Sequence, residues 1–163
     1  MDGPTLNQVH LLLRWIKEGP PGMVPLEHEG RGLGSLQACT WEDAGNPHLL
    51  HLLAQWHDTA FRRFPQAPTV TAQSVRAWLV ELVLPPPDRL LWFIKDLTGQ
   101  PVGHVGVSRL DPVAGTGQLT DLVAADSGAQ RLVDLGVVAL GAWTQQNLGV
   151  RLTAASPATR RAA

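Results

Sequence analysis

Residues 90–108 read LLWFIKDLTGQPVGHVGVS, and the first five, Leu90-Leu91-Trp92-Phe93-Ile94, decide how the chain is organised. This unbroken apolar run is rich in strand formers. It lies between the breaks Pro85-Pro86-Pro87 and Gly99, too short an interval for a helix. Asp96 to Gln100 reads as a hairpin loop, and Pro101 to Ser108 as the returning strand, carrying Val102, Val105 and Val107. Two glycines in it, Gly103 and Gly106, let another backbone or a ligand come close. Asp111 to Gly117 is a second hairpin loop and Gln118 to Ala124 the third strand. After Ala125 to Gln130 the period changes: Leu132, Leu135, Ala139, Leu140 and Trp143 share one face of a helix that runs to about Leu148, with Gly149 in the stop position. Arg151 to Ala154 starts another strand.

Upstream, the triple proline ends a helix that begins at Thr71 and carries Val75, Trp78, Leu79 and Leu82 at helical spacing. A preceding helix starts at Asn46-Pro47, Asn as cap and Pro at the first helical position. Its stripe is Leu49, Leu50, Leu53, Trp56 and Ala60, and it ends near Arg63-Phe64-Pro65. Leu36 to Thr40 reads as the first core strand and Arg31-Gly32-Leu33-Gly34 as a turn. Val24 to His28 reads as a short edge strand, since Pro25 excludes a central one. Thr5 caps an N-terminal helix with Leu6, Val9, Leu12, Leu13 and Ile16 on its apolar side. That helix stops at Gly19-Pro20-Pro21-Gly22. Two readings stand for it: a linker or tail of a preceding fused module, or a helix packed on the domain's flank. The expected division is an N-terminal helix and linker over 1–34, a domain over 35–155 and a disordered tail over 156–163.

The 163 residues suffice for one domain with a real core. Net charge is −1 and only 17% of residues are charged, with Arg14, Lys17, Arg62, Arg63 and Arg109 scattered, which argues against a nucleic-acid partner. No apolar run approaches the roughly 18 residues needed to span a bilayer, and no signal-peptide pattern opens the chain. No membrane partner and a cytoplasmic location are the expectation. The single cysteine, Cys39, excludes an intramolecular disulfide and reads as a small buried residue. His48, His51 and His57 do not complete a ligand set, so no metal is expected. There are six tryptophans and no tyrosine, which closes any mechanism that uses a phenol as acid. Trp56, Trp78, Trp92 and Trp143 occupy core positions of their elements.

The order strand, two helices, three antiparallel strands, helix, strand resembles the GNAT superfamily of acyl-CoA-dependent N-acetyltransferases over roughly residues 36–153. Leu91 to Asp96 and Gly99 to Gly106 resemble that family's second and third strands. Ala142-Trp143 and Asn147 to Arg151 are similar to the end of its cofactor helix and the entry to its fifth strand. Gln55-Trp56-His57-Asp58 resembles a Trp-Arg-Asn motif of its amino-sugar branch. The resemblance implies an α/β fold: a mixed, mostly antiparallel sheet flanked by helices.

It further implies acetyl-CoA or another acyl-CoA as co-substrate and a small-molecule amine, such as an amino sugar, as acceptor. By the same resemblance the main chain of Leu122, Val123 and Ala124 runs beside the pantetheine arm. Gly128, Ala129, Gln130 and Arg131 face the phosphates, where unpaired N–H groups and the helix dipole favour anions. Trp56, His57 and Asp58 line the acceptor site. Asp121 is the candidate base or acceptor-orienting group, its alternative being an exposed strand carboxylate. His104 is the second candidate, its alternative being a histidine that is merely hydrogen-bonded. The chain departs from the family pattern in two ways. Its loop Gly128 to Leu132 holds one glycine where the family has more. The family's closing helix, with its tyrosine, and its last two strands do not follow Ala154. A truncated acyltransferase domain is therefore expected, with a non-catalytic accessory module of the same fold as the alternative. A homodimer that supplies the missing strands is a third element of that expectation.

Overall fold

A computed structural model describes residues 3–20, 22–61, 66 and 69–154. Thr5 opens α1 (Leu6–Glu18) with a reciprocal capping box to Gln8. β1 (Met23–His28) and β2 (Arg31–Ala38) follow, then α2 (Pro47–Phe61) and α3 (Ala72–Trp78), capped by Thr71. A single π-helical turn, Leu79–Val83, continues α3 up to the prolines. β3 (Leu90–Asp96), β4 (Pro101–Asp111) and β5 (Thr116–Ala124) form a meander. A 3-10 turn, Ser127–Ala129, leads into α4 (Gln130–Leu148), and β6 (Arg151–Ala154) ends the described chain. Gly149 closes α4 at φ 66°, the left-handed stop the sequence predicts.

The six strands form one sheet in the order β1-β2-β3-β4-β5-β6, antiparallel except for the parallel pair β5–β6. The mostly antiparallel α/β architecture is as expected. The β3 run explains its layering. Leu90, Trp92 and Ile94 enter a core with Val9, Leu13 and Ile16 of α1 and Val133 and Leu140 of α4. Leu91 and Phe93 point the other way, into a core with Leu50, Leu53 and Trp56 of α2 and Val75 and Leu79 of α3. All five are at most 2% exposed, so alternation along the strand feeds two cores at once.

Three expectations change here. Arg31 to Gly34 is strand, not turn. The turn is Glu29-Gly30, with φ 52° and 75°, a two-residue hairpin connection. Gly34 has a packing role instead: a Cβ there would collide with the Lys95 carbonyl oxygen on the neighbouring strand. The expected boundary at 34/35 falls inside β2, and α1 and β1 place Val9, Leu13, Ile16 and Leu26 in the shared core. The first core strand runs over Arg31–Ala38 and not Leu36 to Thr40, because β2 pairs with β1 from Arg31 onward and with β3 up to Ala38. The expected end of the second helix near Arg63-Phe64-Pro65 and the tail over 156–163 lie outside the described residues.

Lys17 ties α1 to the proline segment. Its ammonium donates to the carbonyls of Leu84 (3.0 Å) and Pro86 (2.7 Å), acceptors that the prolines, having no N–H, do not satisfy. Burial brings its pKa down to about 8.

Two glycines of α4 separate packing from propensity. A Cβ on Gly136 would meet Ile94 Cγ1 at 3.1 Å and Leu36 Cδ2 at 3.3 Å, whereas Gly141 has nothing within 4 Å. Gly136→Val is expected to destabilise the chain by about 1–3 kcal/mol through overpacking. Gly141→Ala is expected to stabilise it by roughly 0.5–1 kcal/mol. Urea midpoints with unchanged slopes check both.

Candidate functional site

α2 and β4 meet at two histidines. His57 Nε2 and His104 Nε2 lie 2.8 Å apart with the rings edge to face. His104 Nδ1 contacts the main-chain oxygen of Asp121. A carbonyl only accepts, so Nδ1 of His104 carries the proton and its Nε2 carries the lone pair. His57 must then donate from Nε2, which leaves the lone pair of His57 on Nδ1. The assignment follows from acceptor chemistry with both rings neutral. Trp56 is tilted against His104 at 6.3 Å between centroids, and Trp78 stacks edge-on against His57 at 5.1 Å. His104 is buried and His57 half-buried. Burial pushes His57 down to about 3, with the neighbouring His104 adding to the effect and Asp121 opposing it. Burial likewise pushes His104 down to about 4, opposed by its bond to the Asp121 carbonyl. Both imidazoles are neutral near pH 7.

Asp121 stands on β5 beside them, buried and with φ at 55°. Its Oδ2 pairs with Arg89 Nη2 at 2.7 Å, so half of the carboxylate expected as a base is already held by a cation. Its Oδ1 and the Trp78 Nε1 are buried with no hydrogen-bond partner among the described residues. Asp58, next to His57, accepts the main-chain N–H of Val70 at 3.4 Å. The structure thus brings together four residues singled out in the sequence, Trp56, His57, His104 and Asp121. It adds Trp78, which reads as core packing in the sequence, and Arg89. Arg89 sits between a triple proline and a strand, where a charged residue looks like ordinary loop surface.

The expected cofactor residues begin directly after Asp121, at the C-terminal end of β5. β6 pairs with β5 over Thr116 to Leu119, and beyond that no described residue pairs with β5 on this side. Among the described residues Leu122, Val123 and Ala124 therefore have no strand partner on that side. The phosphate end fits less well. Asp126 caps the 3-10 turn, its carboxylate accepting the Ala129 N–H at 3.0 Å. The Gln130 N–H is bonded to the Ser127 carbonyl, and the Gln130 side chain to Asp134 at 2.8 Å. Of the four residues expected there, Gly128, Gln130 and Arg131 are exposed, and Arg131 supplies the cation. Among the described residues no group of three or more His, Cys, Asp or Glu could hold a metal ion. None of them forms a helix long and apolar enough to cross a membrane. A surface groove of about 360 Å³ between α1 and Leu84–Pro87 is lined by other residues, Lys17 and Trp41 among them.

The histidine pair makes stability depend on pH. Each ring has a lower pKa folded than the 6.5 of an unperturbed histidine, so the unfolded chain takes up protons first. The contribution is complete above about 6.5 and is lost as pH falls toward 4 and 3. Between pH 7 and pH 5 the loss is on the order of 2 kcal/mol per histidine. A His57→Phe/His104→Phe double variant should show a flatter profile in urea titrations across that interval.

Comparison with known proteins places the fold. No family model matches the sequence, and no curated protein matches it. Solved structures do. A GCN5-related N-acetyltransferase from Brucella melitensis superposes with a TM-score of 0.58 at 17% identity, over 90% of this chain and 67% of that one. A structure described as a probable acetyltransferase superposes with a TM-score of 0.53 at 14% identity, over 74% of this chain and 78% of that one. The chain has the fold of the GCN5-related N-acetyltransferases.

Proposed function

We propose that this chain transfers an acyl group from acyl-CoA to the amine of a small molecule, with the His57–His104 pair receiving the amine proton. The observation that carries the reading is that pair: two neutral, desolvated imidazoles, linked Nε2 to Nε2, beside the bulged end of β5. Acyl transfer to an amine needs alignment of the neutral nitrogen with the thioester carbonyl and a base for the proton released on attack. The attacking nitrogen becomes strongly acidic as its bond to carbon forms, so a weak base suffices. His57 takes the proton on Nδ1, its Nε2–H stays bonded to His104, and the C–S bond breaks to release CoA as a thiolate, which the proton on His57 then neutralises. The Asp121 carbonyl fixes His104 in the tautomer that accepts it. This is an orienting chain of the kind that aligns a general base elsewhere. The thioester lies along the edge of Leu122 to Ala124, and Arg131 offers its guanidinium to phosphate. An amino sugar is the first acceptor to test, supported by the resemblance carried by Trp56, His57 and Asp58.

One observation favours the second reading, an accessory module that does not bind CoA. The Asp126 carboxylate occupies the Ala129 N–H where a phosphate would bind, and it repels an incoming anion.

Calorimetric titration with acetyl-CoA and desulfo-CoA separates the two readings. Binding in the micromolar range is expected, and no heat up to millimolar ligand would remove the enzyme reading. With amines as acceptors, His57→Gln should lower kcat by about 100-fold or more while acetyl-CoA affinity holds. Asp126→Asn keeps the cap and removes the charge, so it should tighten CoA binding several-fold without loss of thermal stability. Unchanged affinity would take Asp126 out of the phosphate site.

A further inference from the structure

We infer that Arg89 is a positioning residue: by gripping Asp121 it holds the bulge of β5 that sets the proton on His104, and it leaves the second carboxylate oxygen of Asp121 to the acceptor amine. The last part rests on the acyltransferase reading; the rest stands without it.

The bulge is visible in the register. His104 pairs with Val123 and Gly106 with Thr120, so Val105 on β4 faces both Asp121 and Leu122 on β5. An extra residue of this kind bends the strand and re-aims its groups. Asp121 takes the strain, with φ at 55°, a conformation that a residue bearing a side chain keeps only when its surroundings impose it. The left-handed backbone there accompanies the carbonyl contact to His104 Nδ1.

Two groups hold the conformation. Arg89 grips Oδ2 at 2.7 Å through Nη2 and donates through Nη1 to the Leu82 carbonyl at 3.1 Å, so it bridges the π-helical turn and the bulge. From the opposite strand, Gly106 makes room: a Cβ there would stand 3.0 Å from Oδ2 and 3.4 Å from Thr120 Cγ2. The carboxylate thus sits between a guanidinium and a glycine. Among the described residues, the charged groups facing the histidines are Asp121 of β5 and, through it, Arg89. Asp121 Oδ1, buried and without a partner among the described residues, is the remaining acceptor, and an amine N–H satisfies it.

Nitrogen NMR of the histidine rings in the full chain tests this. In the wild type His104 should be a single Nδ1–H tautomer and His57 the Nε2–H tautomer. Arg89→Met should give a mixed His104 population, and Arg89→Lys, which keeps the charge and loses the fork, should restore the single form in part. A single Nδ1–H form in a folded Arg89→Met variant overturns the inference. If that variant does not fold, Gly106→Ala presses on the same carboxylate and must give the mixture; a single form there overturns the inference equally. Asp121→Asn tolerates the left-handed backbone, so it should keep the tautomer and raise the amine KM about ten-fold. An unchanged KM overturns the role of Oδ1. If no amine is acylated at all, the acyltransferase reading fails while the tautomer result still decides the role of Arg89.

Discussion

Everything in this structure hangs on β3 being buried on both faces. A strand with one wet face needs one core and tolerates polar residues at every second position. Leu90 to Ile94 has no such position, and the chain answers with helices on both sides of the sheet: α1 and α4 on one, α2 and α3 on the other. At about 25 cal/mol per Å² of apolar surface, burying each of these five side chains contributes on the order of 2 kcal/mol before chain entropy is counted. Removing either helical layer would expose two or three of them. The edge strands show the converse. β1 carries Pro25 and an exposed Met23, and its burial pattern alternates as a half-wet strand should.

The polar cluster is possible because this double layer encloses the sheet's centre. His104 is a β4 residue facing α2, and it meets His57 on the second turn from the end of that helix. Neither imidazole can hold a charge there without a large loss of solvation, so the pair stays neutral and its hydrogen bonds run in one direction. Arg89 and Asp121 solve a different problem. A buried carboxylate without a cation is expensive, and a lone guanidinium is no better, so the two are placed together under the π-helical turn. The strained backbone of Asp121 connects the pairs, with its side chain on Arg89 and its carbonyl on His104.

Just past Asp121, at the C-terminal end of β5, the strand edge and the helix entry differ. Among the described residues the edge at Leu122 to Ala124 has no strand beside it on the β6 side. The α4 entry has already satisfied one of its unpaired donors with Asp126, which is what an aspartate at that position is chemically suited to do. A loop with more glycine would leave those donors for an external anion. Here local capping and anion binding compete for the same N–H.

The sequence by itself determined the meander, the apolar run of β3, the cap at Thr5, the helix start at Thr71 and the stop at Gly149. These follow from periodicity and from backbone rules that act within a few residues. It also pointed to Trp56, His57, His104 and Asp121, though without saying that they touch. Only the tertiary structure decided the rest. Gly34 of β2 looks like part of a turn because its reason, the approach of the Lys95 carbonyl, lies some sixty residues away in the chain. The histidine contact joins positions 47 residues apart, and the Arg89–Asp121 pair joins positions 32 apart. Such pairings depend on which faces the packed layers bring together. No local pattern encodes them, and the chemistry of this site is made of them.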